Sequence, residues 1–211
     1  MKGLVIGGGC DVDIDLLSLE LEDSDLIICA DRGIEYLIQM GVQPDFLMGD
    51  FDSFTGELPS DFEGNTKVLT YPRDKNDTDM QLAVDFALEK GCTELILMGA
   101  VGTRMDHTQG NISIVVQNEL KGVSTIIKGK QNIIQAVKGP KNIIIETDKP
   151  YVSAIPVSIE GINISTEGFK FEVENLFISH GDTRGISNTL LKANGVLKVN
   201  SGTALVIFAE D

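Results

Sequence analysis

The sequence predicts an α/β N-terminal domain with a mostly parallel sheet, followed by an all-β sandwich- or barrel-like C-terminal domain. Three observations predict it. Up to residue 122, short apolar runs alternate with helix-period segments, the rhythm of strands with covering helices. From residue 123 helical patterning stops and short β-rich runs separated by turn residues take over. Charge divides at the same place: residues 1–120 carry 7 Lys and Arg against 23 Asp and Glu, and residues 121–211 carry 10 against 9. The expected domains are therefore 1–122 and 123–211.

GLVIGG, near the start, is a buried strand closed by glycines, and DLIICAD is a second strand ending at Asp31. RGIEYLIQMG sets Ile34, Leu37 and Ile38 on one helical face, with Gly41 as the residue that ends the helix. Phe46-Leu47-Met48 runs into Gly49 and Asp50, followed by a Gly/Pro/Ser-rich connection. Thr78 to Gln81 has the T-x-x-Q form of a capping box and opens a helix stopping near Gly91. LILMGA is a strand and HTQGNISIVVQNELKG a helix. Beyond it TIIKG, NIIQAV, NIIIE, VSAIPVS and ALVIFAE are β runs. FKFEVEN alternates, placing Phe169, Phe171 and Val173 on one face and Lys170, Glu172 and Glu174 on the other. Ligands of parallel α/β sheets collect at the carboxyl ends of the strands, so the polar residues there come first.

Composition excludes several classes. With 211 residues, 42% hydrophobic, the chain is too apolar for disorder, and no run approaches the ~20 residues of a membrane span. The opening MKGLVIGGGCDVDID reads as a first strand and its loop, not as a secretory signal. A net charge of −15, concentrated in the first half, repels a nucleic-acid backbone. Cys10, Cys29 and Cys92 have no C-x-x-C spacing, which suggests neither a disulfide framework nor a structural zinc site. A cytoplasmic protein is expected, bound neither to nucleic acid nor to membrane.

Three clusters follow predicted strands. In GDFDS, residues 49–53, an extended backbone puts the Asp50 and Asp52 side chains on one side with Cα atoms about 6.6 Å apart. Two such carboxylates repel by roughly 2–3 kcal/mol at an effective dielectric near 20. A magnesium ion relieves that repulsion and phosphate oxygens complete its shell; an Asp-Ser turn capping backbone amides accounts for the same residues. DKNDTD, residues 74–79, precedes a helix whose free amides suit an anion, with Lys75 as a mobile cation. Ordinary capping by Thr78 explains the pattern equally. GAVGTRMDHTQGN, residues 99–111, sets Arg104, Asp106 and His107 between glycines and a helix, although a histidine at a helix start is often structural. P-loop, GxGxxG and GxSxG motifs do not occur.

Taken together, Ala30-Asp31, GDFDS at 49–53, K-x-x-T-D from Lys75 to Asp79, GTRMDH at 102–107 and GISN at 185–188 resemble the thiamine pyrophosphokinase family. The motifs span residues 30 to 188 in the family's order. The resemblance implies Mg2+-dependent transfer of a diphosphoryl group from ATP to the thiamine hydroxyl, giving thiamine diphosphate and AMP. It implies ATP and magnesium at the α/β domain of a homodimer, with thiamine between that domain and the partner subunit's β-sandwich. Asp50, Asp52 and Asp79 match the metal and catalytic positions. Asp31, Lys75, Thr78, Arg104, Asp106, His107 and Asn111 match the nucleotide side, and Ser187 and Asn188 the thiamine side. Asn76 and Arg32 depart from the family's acidic residue and glycine at those places, and with no tryptophan any stacking on thiamine falls to Phe or Tyr. Two rival readings are a regulatory binding module on the same fold and a D-x-D transferase using nucleotide sugars. The first predicts a damaged aspartate set; the second leaves Lys75–Asp79 and Gly102–His107 without a role.

Overall fold

The computed structural model describes residues 1–49, 65–72 and 76–211. The chain divides into two compact units, Met1–Ile114 with Val123–Lys130, and Val115–Gly122 with Gln131–Asp211.

In the first unit the chain runs β1 (Lys2–Ile6), α1 (Ile14–Glu22), β2 (Leu26–Ala30), a 3-10 turn at Asp31–Gly33, α2 (Ile34–Met40) and β3 (Phe46–Gly49). It continues with β4 (Lys67–Thr70), α3 (Asp79–Glu89), β5 (Glu94–Met98), α4 (Met105–Leu120, whose residues from Val115 onward fall in the second unit) and β6 (Ser124–Lys128). The strands stand in the order β4-β3-β2-β1-β5-β6, and every neighbouring pair is parallel. Parallel strands covered on both faces read as continuous apolar runs, and Leu4, Val5 and Ile6 of β1 are all fully buried. Leu4 and Ile6 join Leu17, Ile34, Leu37 and Leu47 in the core of this unit.

The expected helix signals are in place. Gly41 caps α2 at φ 66°, a left-handed conformation that favours glycine. Thr78 caps α3 by accepting a hydrogen bond from the Gln81 amide at 3.2 Å. Gln81 does not reach back to complete the box; its side chain donates to Asp85 at 3.0 Å. Two elements lie where no helix or strand was expected. α1 is capped by Asp13, whose carboxylate accepts from the amides of Asp15 and Leu16, and β4 pairs along β3 within the stretch read as a connection. TIIKG, grouped with the β half by its composition, is β6 and pairs in parallel with β5. A lone apolar strand carries no mark of its partner, and only the sheet decides which it joins.

Glu20 on α1 anchors this unit. Its carboxylate, buried, takes the Lys2 ammonium at 2.7 Å on one oxygen and the Lys128 ammonium on the other. The helix is thereby tied to the start of β1 and the end of β6.

In the second unit β7 (Asn132–Lys138), β13 (Thr203–Ala209) and β9 (Tyr151–Pro156) form antiparallel ladders in the order β7-β13-β9. β11 (Val173–Ile178), β10 (Ile162–Glu167), β12 (Gly195–Ser201) and β8 (Lys141–Ile145) form a second antiparallel sheet in that order. Val152, Ala204, Val206 and Phe208 from one sheet pack with Ile145, Ile162, Ile164, Leu197 and Val199 from the other, the alternation of a sandwich core.

FKFEVEN departs from expectation. β11 begins only at Val173, and residues 168–172 form a bend that starts at Gly168 with φ 84°. Phe169 and Phe171 do not share a buried face: Phe169 is 2% exposed and Phe171 60%. Glycine permits the left-handed turn, and that turn breaks the period of two.

Candidate active site

The carboxyl ends of the parallel strands gather most of the predicted residues of the first unit. At the reversal of strand order between β1 and β5, the following loops are bonded to one another. The amide of Gly7 donates to Met98 O and that of Gly9 to Gly99 O, both at 2.8 Å, and that of Asp11 to Val101 O at 3.2 Å. Side chains would not fit: a Cβ at Gly9 would lie 2.6 Å from Gly99 O, and Gly99 itself has φ 60°.

Asp31 follows β2 and holds φ 48°, a backbone region costly for a residue with a Cβ. It packs against the end of β3, where a Cβ on Gly49 would lie 3.3 Å from Asp31 Cα. Gly49 leads directly into Asp50. Asp50, Asp52 and Lys75 lie outside the described residues. Asp79 occupies the first turn of α3 behind the Thr78 cap. That end of α3 sits over the sheet's carboxyl edge, because the Met80 methyl reaches the space beside Gly7, 2.6 Å from where its Cβ would stand. The structure thus brings Asp31, Thr78 and Asp79 to one edge of the sheet.

The β5–α4 segment divides into two kinds of residue. Arg104 and Asp106, both exposed, form a forked pair, Nη2 to Oδ2 at 2.6 Å and Nε to Oδ1 at 3.2 Å. Asp106 also accepts the His107 amide at 3.0 Å. The guanidinium first, and the amide with it, hold the Asp106 carboxyl down at about 2, so it stays ionised at any working pH. An anion approaching Arg104 must therefore displace Asp106 from a fork that suits phosphate equally well. His107 is exposed. Asn111, by contrast, is buried, and its Nδ2 donates to Ala100 O at 2.7 Å. Beside it the buried Thr108 hydroxyl accepts the Gly102 amide at 3.2 Å. Both side chains fasten the glycine loop to α4. Sequence reasoning missed Thr108; its spacing of six from Gly102 carries no signal until the loop folds back.

Among the described residues no three His, Cys, Asp or Glu side chains come together as a metal-binding group. Asp31 and Asp79 supply the hard oxygen donors a divalent metal takes. Cys10 is exposed and Cys29 and Cys92 are buried, all with free thiols.

In the second unit a cavity of about 300 Å³ opens at one side of the sandwich. Ile164, Phe169 and Leu197 line its interior, and Phe171, Arg184 and Asn188 are among the polar and aromatic groups around it. Arg184 donates through Nε to Asp182 at 2.7 Å and through Nη2 to Phe177 O at 3.1 Å. Asn188 borders the cavity. Ser187 holds φ 60°, and its amide donates to Ser153 Oγ at 3.1 Å. Arg184 was not singled out from the sequence; an isolated arginine in a loop has no period or motif.

Comparison with known proteins bears on both units. The profile described as the thiamin pyrophosphokinase catalytic domain matches residues 17–127, and that described as the thiamin pyrophosphokinase vitamin B1 binding domain matches residues 141–206. The thiamine pyrophosphokinase of Bacillus subtilis (strain 168) is 34% identical over 213 residues, covering 98% of each chain. A crystal structure of thiamine pyrophosphokinase from Bacillus subtilis matches with a TM-score of 0.87 at 30% identity, each chain covered in full. Thiamin pyrophosphokinase from Candida albicans shares the fold at a TM-score of 0.83 and 18% identity, covering 100% of this chain and 89% of the other.

Proposed function

The chain belongs to the thiamine pyrophosphokinase family, a family of transferases, and from that premise we propose that it moves the diphosphoryl group of ATP to the hydroxyl of thiamine with Mg2+, releasing AMP. The observation that carries this reading is the packing of Asp31 against Gly49, the residue before Asp50. In a chain matched along both of its halves, Asp31 at the end of β2 beside the end of β3 supports a metal–triphosphate site at this part of the sheet.

The reaction places definite demands on the site. The hydroxyl attacks the β-phosphorus in line, a bond forms from that oxygen to phosphorus, and the α–β bridging oxygen leaves with AMP. Positioning and neutralisation of charge supply most of the acceleration in phosphoryl transfer. Asp50, Asp52 and Asp79 would hold the metal; when bound, it would neutralise phosphate charge and orient the phosphates for attack. Arg104 would exchange Asp106 for phosphate oxygens, and Lys75 would add a second cation. The α3 terminus offers amides and a partial positive charge. Thr108 and Asn111 act one step back, keeping the glycine loop close enough for its backbone to meet the nucleotide. One aspartate of the set accepts the hydroxyl proton.

The first unit is then the nucleotide side and the second the thiamine side, with the exposed Phe171 ring at the cavity as the aromatic face for the ligand. Thiamine is a flat cation, and an aromatic ring attracts both its heteroaromatic surface and its charge. A homodimer and a cytoplasmic location belong to the same proposal; among the described residues no helix is long and apolar enough to cross a membrane. Purified protein incubated with thiamine, ATP and Mg2+ should form thiamine diphosphate and AMP in equal amounts, with a chelated control silent. ADP as the nucleotide product, or no product while ATP still binds, would overturn the assignment.

A further inference from the structure

Asn188 borders the cavity, yet its amide is already engaged. Nδ2 donates to Phe171 O at 2.9 Å, and Oδ1 accepts from the amides of Phe171 and Thr189, both at 3.0 Å. Its main chain is fixed as well: the Asn188 amide donates to Val152 O at 3.0 Å and the Val152 amide to Asn188 O at 2.8 Å. One residue is therefore hooked to β9 through its backbone while its side chain holds both polar groups of the Phe171 peptide. A primary amide presents a donor and an acceptor side by side, as the edge of a strand does.

The bend at 168–172 explains why such a graft is needed. β10 ends at Glu167 and β11 begins at Val173, so the Phe171 N–H and C=O lie in the connection, outside the ladder. The carbonyl takes a second bond from the Thr166 hydroxyl at 3.2 Å, but its N–H is met by Asn188. Held this way, residue 171 turns its ring outward beside the cavity while Phe169, two positions earlier, is sealed in the core.

We propose that Asn188 is a positioning residue for substrate: it acts through the Phe171 peptide, fixing that ring as a wall of the cavity, and makes no contact of its own with the ligand. The proposal rests on the reading of the cavity as the thiamine side. It differs from a direct role for Asn188, in which the amide would hydrogen-bond the heteroaromatic ring.

A double-mutant cycle separates the two. Thiamine affinity is measured on the full-length protein as wild type, N188A, F171A and N188A/F171A. N188A should weaken thiamine about tenfold in the wild-type background and less than about twofold once Phe171 is already alanine. In steady-state assays the thiamine KM should rise by far more than kcat falls, with the KM for ATP unchanged. Equal losses in both backgrounds would show that Asn188 touches the ligand and would overturn the proposal. Should N188A fail to fold, N188D carries the same cycle: one carboxylate oxygen still accepts from the Phe171 and Thr189 amides, while the other faces the Phe171 carbonyl with no proton to donate, and the added charge, present in both backgrounds, cancels in the cycle.

Because the chain has no tryptophan, F171W places a single indole at the wall. Without ligand, F171W/N188A should show lower anisotropy and stronger acrylamide quenching than F171W alone; identical values would refute the clamp. If F171A leaves thiamine affinity intact and thiamine does not quench F171W, the cavity reading has failed and the proposal falls with it. The ligand-free anisotropy, which needs no thiamine, tells that failure from failure of the clamp.

Discussion

Replacing Glu20 by glutamine should be among the most damaging single changes available in the first unit, although it touches no predicted site residue. Glu20 holds Lys2 at 2.7 Å and Lys128 on its other oxygen, with its own side chain 7% exposed and those of the lysines 15% and 24%. At an effective dielectric of 20, each contact is worth roughly 6 kcal/mol in gross Coulomb energy. Desolvation of three ions cancels much of that, and removing one partner of a buried pair costs about 3–5 kcal/mol. Glutamine retains one acceptor, so the lower end, about 3 kcal/mol, is expected, or a fall in Tm of roughly 6–12 °C for a chain of this size. Circular dichroism melts at neutral pH measure it. Acid supplies the control. Burial raises the Glu20 carboxyl, but hydrogen bonds from Lys128 and Lys2 outweigh it and leave the group below its ordinary 4.5. A carboxylate depressed in the folded state contributes stability above the unfolded value, and that contribution is lost as pH falls through the folded one. The gap between wild type and Glu20→Gln should therefore close as pH drops below about 4. A loss under 2 °C at neutral pH, or a gap undiminished in acid, would refute this account of the cluster.

Other consequences follow from the same contacts. Lys2 behaves in the opposite sense: burial lowers its ammonium, yet hydrogen bonds to Asp23 and Glu20 win and raise it above 10.5. Its share of stability is complete below that value and lost as alkali passes the folded one, so Lys2→Met should flatten the alkaline limb of a Tm–pH curve. Asn111→Leu strands the Ala100 carbonyl and should cost about 1–3 kcal/mol, measured by denaturant titration; an unchanged midpoint with a raised KM for ATP would make Asn111 a nucleotide contact instead. Gly99→Ala combines a left-handed φ with a Cβ aimed at the Gly7 carbonyl, so both stability and kcat should fall, whereas Gly110→Ala, with open space around it, should stabilise α4 slightly. Asp52→Asn should lower kcat by orders of magnitude with Tm little changed; a fully active variant would remove the metal assignment.

Some of the site was readable because its signals are local. Thr78 caps its helix and Gly41 ends its own, since a cap needs only neighbours three or four residues away. Arg104 and Asp106 stand two apart and find each other. The motifs singled out Asn111 and Asn188, but a motif cannot say whether an amide points at a ligand or at the protein's own backbone. In both, the described geometry commits the side chain to a carbonyl, 11 and 17 residues away in the chain.

By itself the sequence determined most of the strands and helices (though not α1 or β4), the change from an α/β half to a β half, and the family, because apolar period, caps and motif order are properties of short stretches. Tertiary structure alone decided that TIIKG joins the parallel sheet, that 168–172 bends with Phe171 outward, and that Glu20 meets Lys128 across 108 residues. Those outcomes depend on which distant group meets each unpaired strand edge, peptide or charge when it leaves water. That choice belongs to the whole chain, and no window of neighbouring residues contains it.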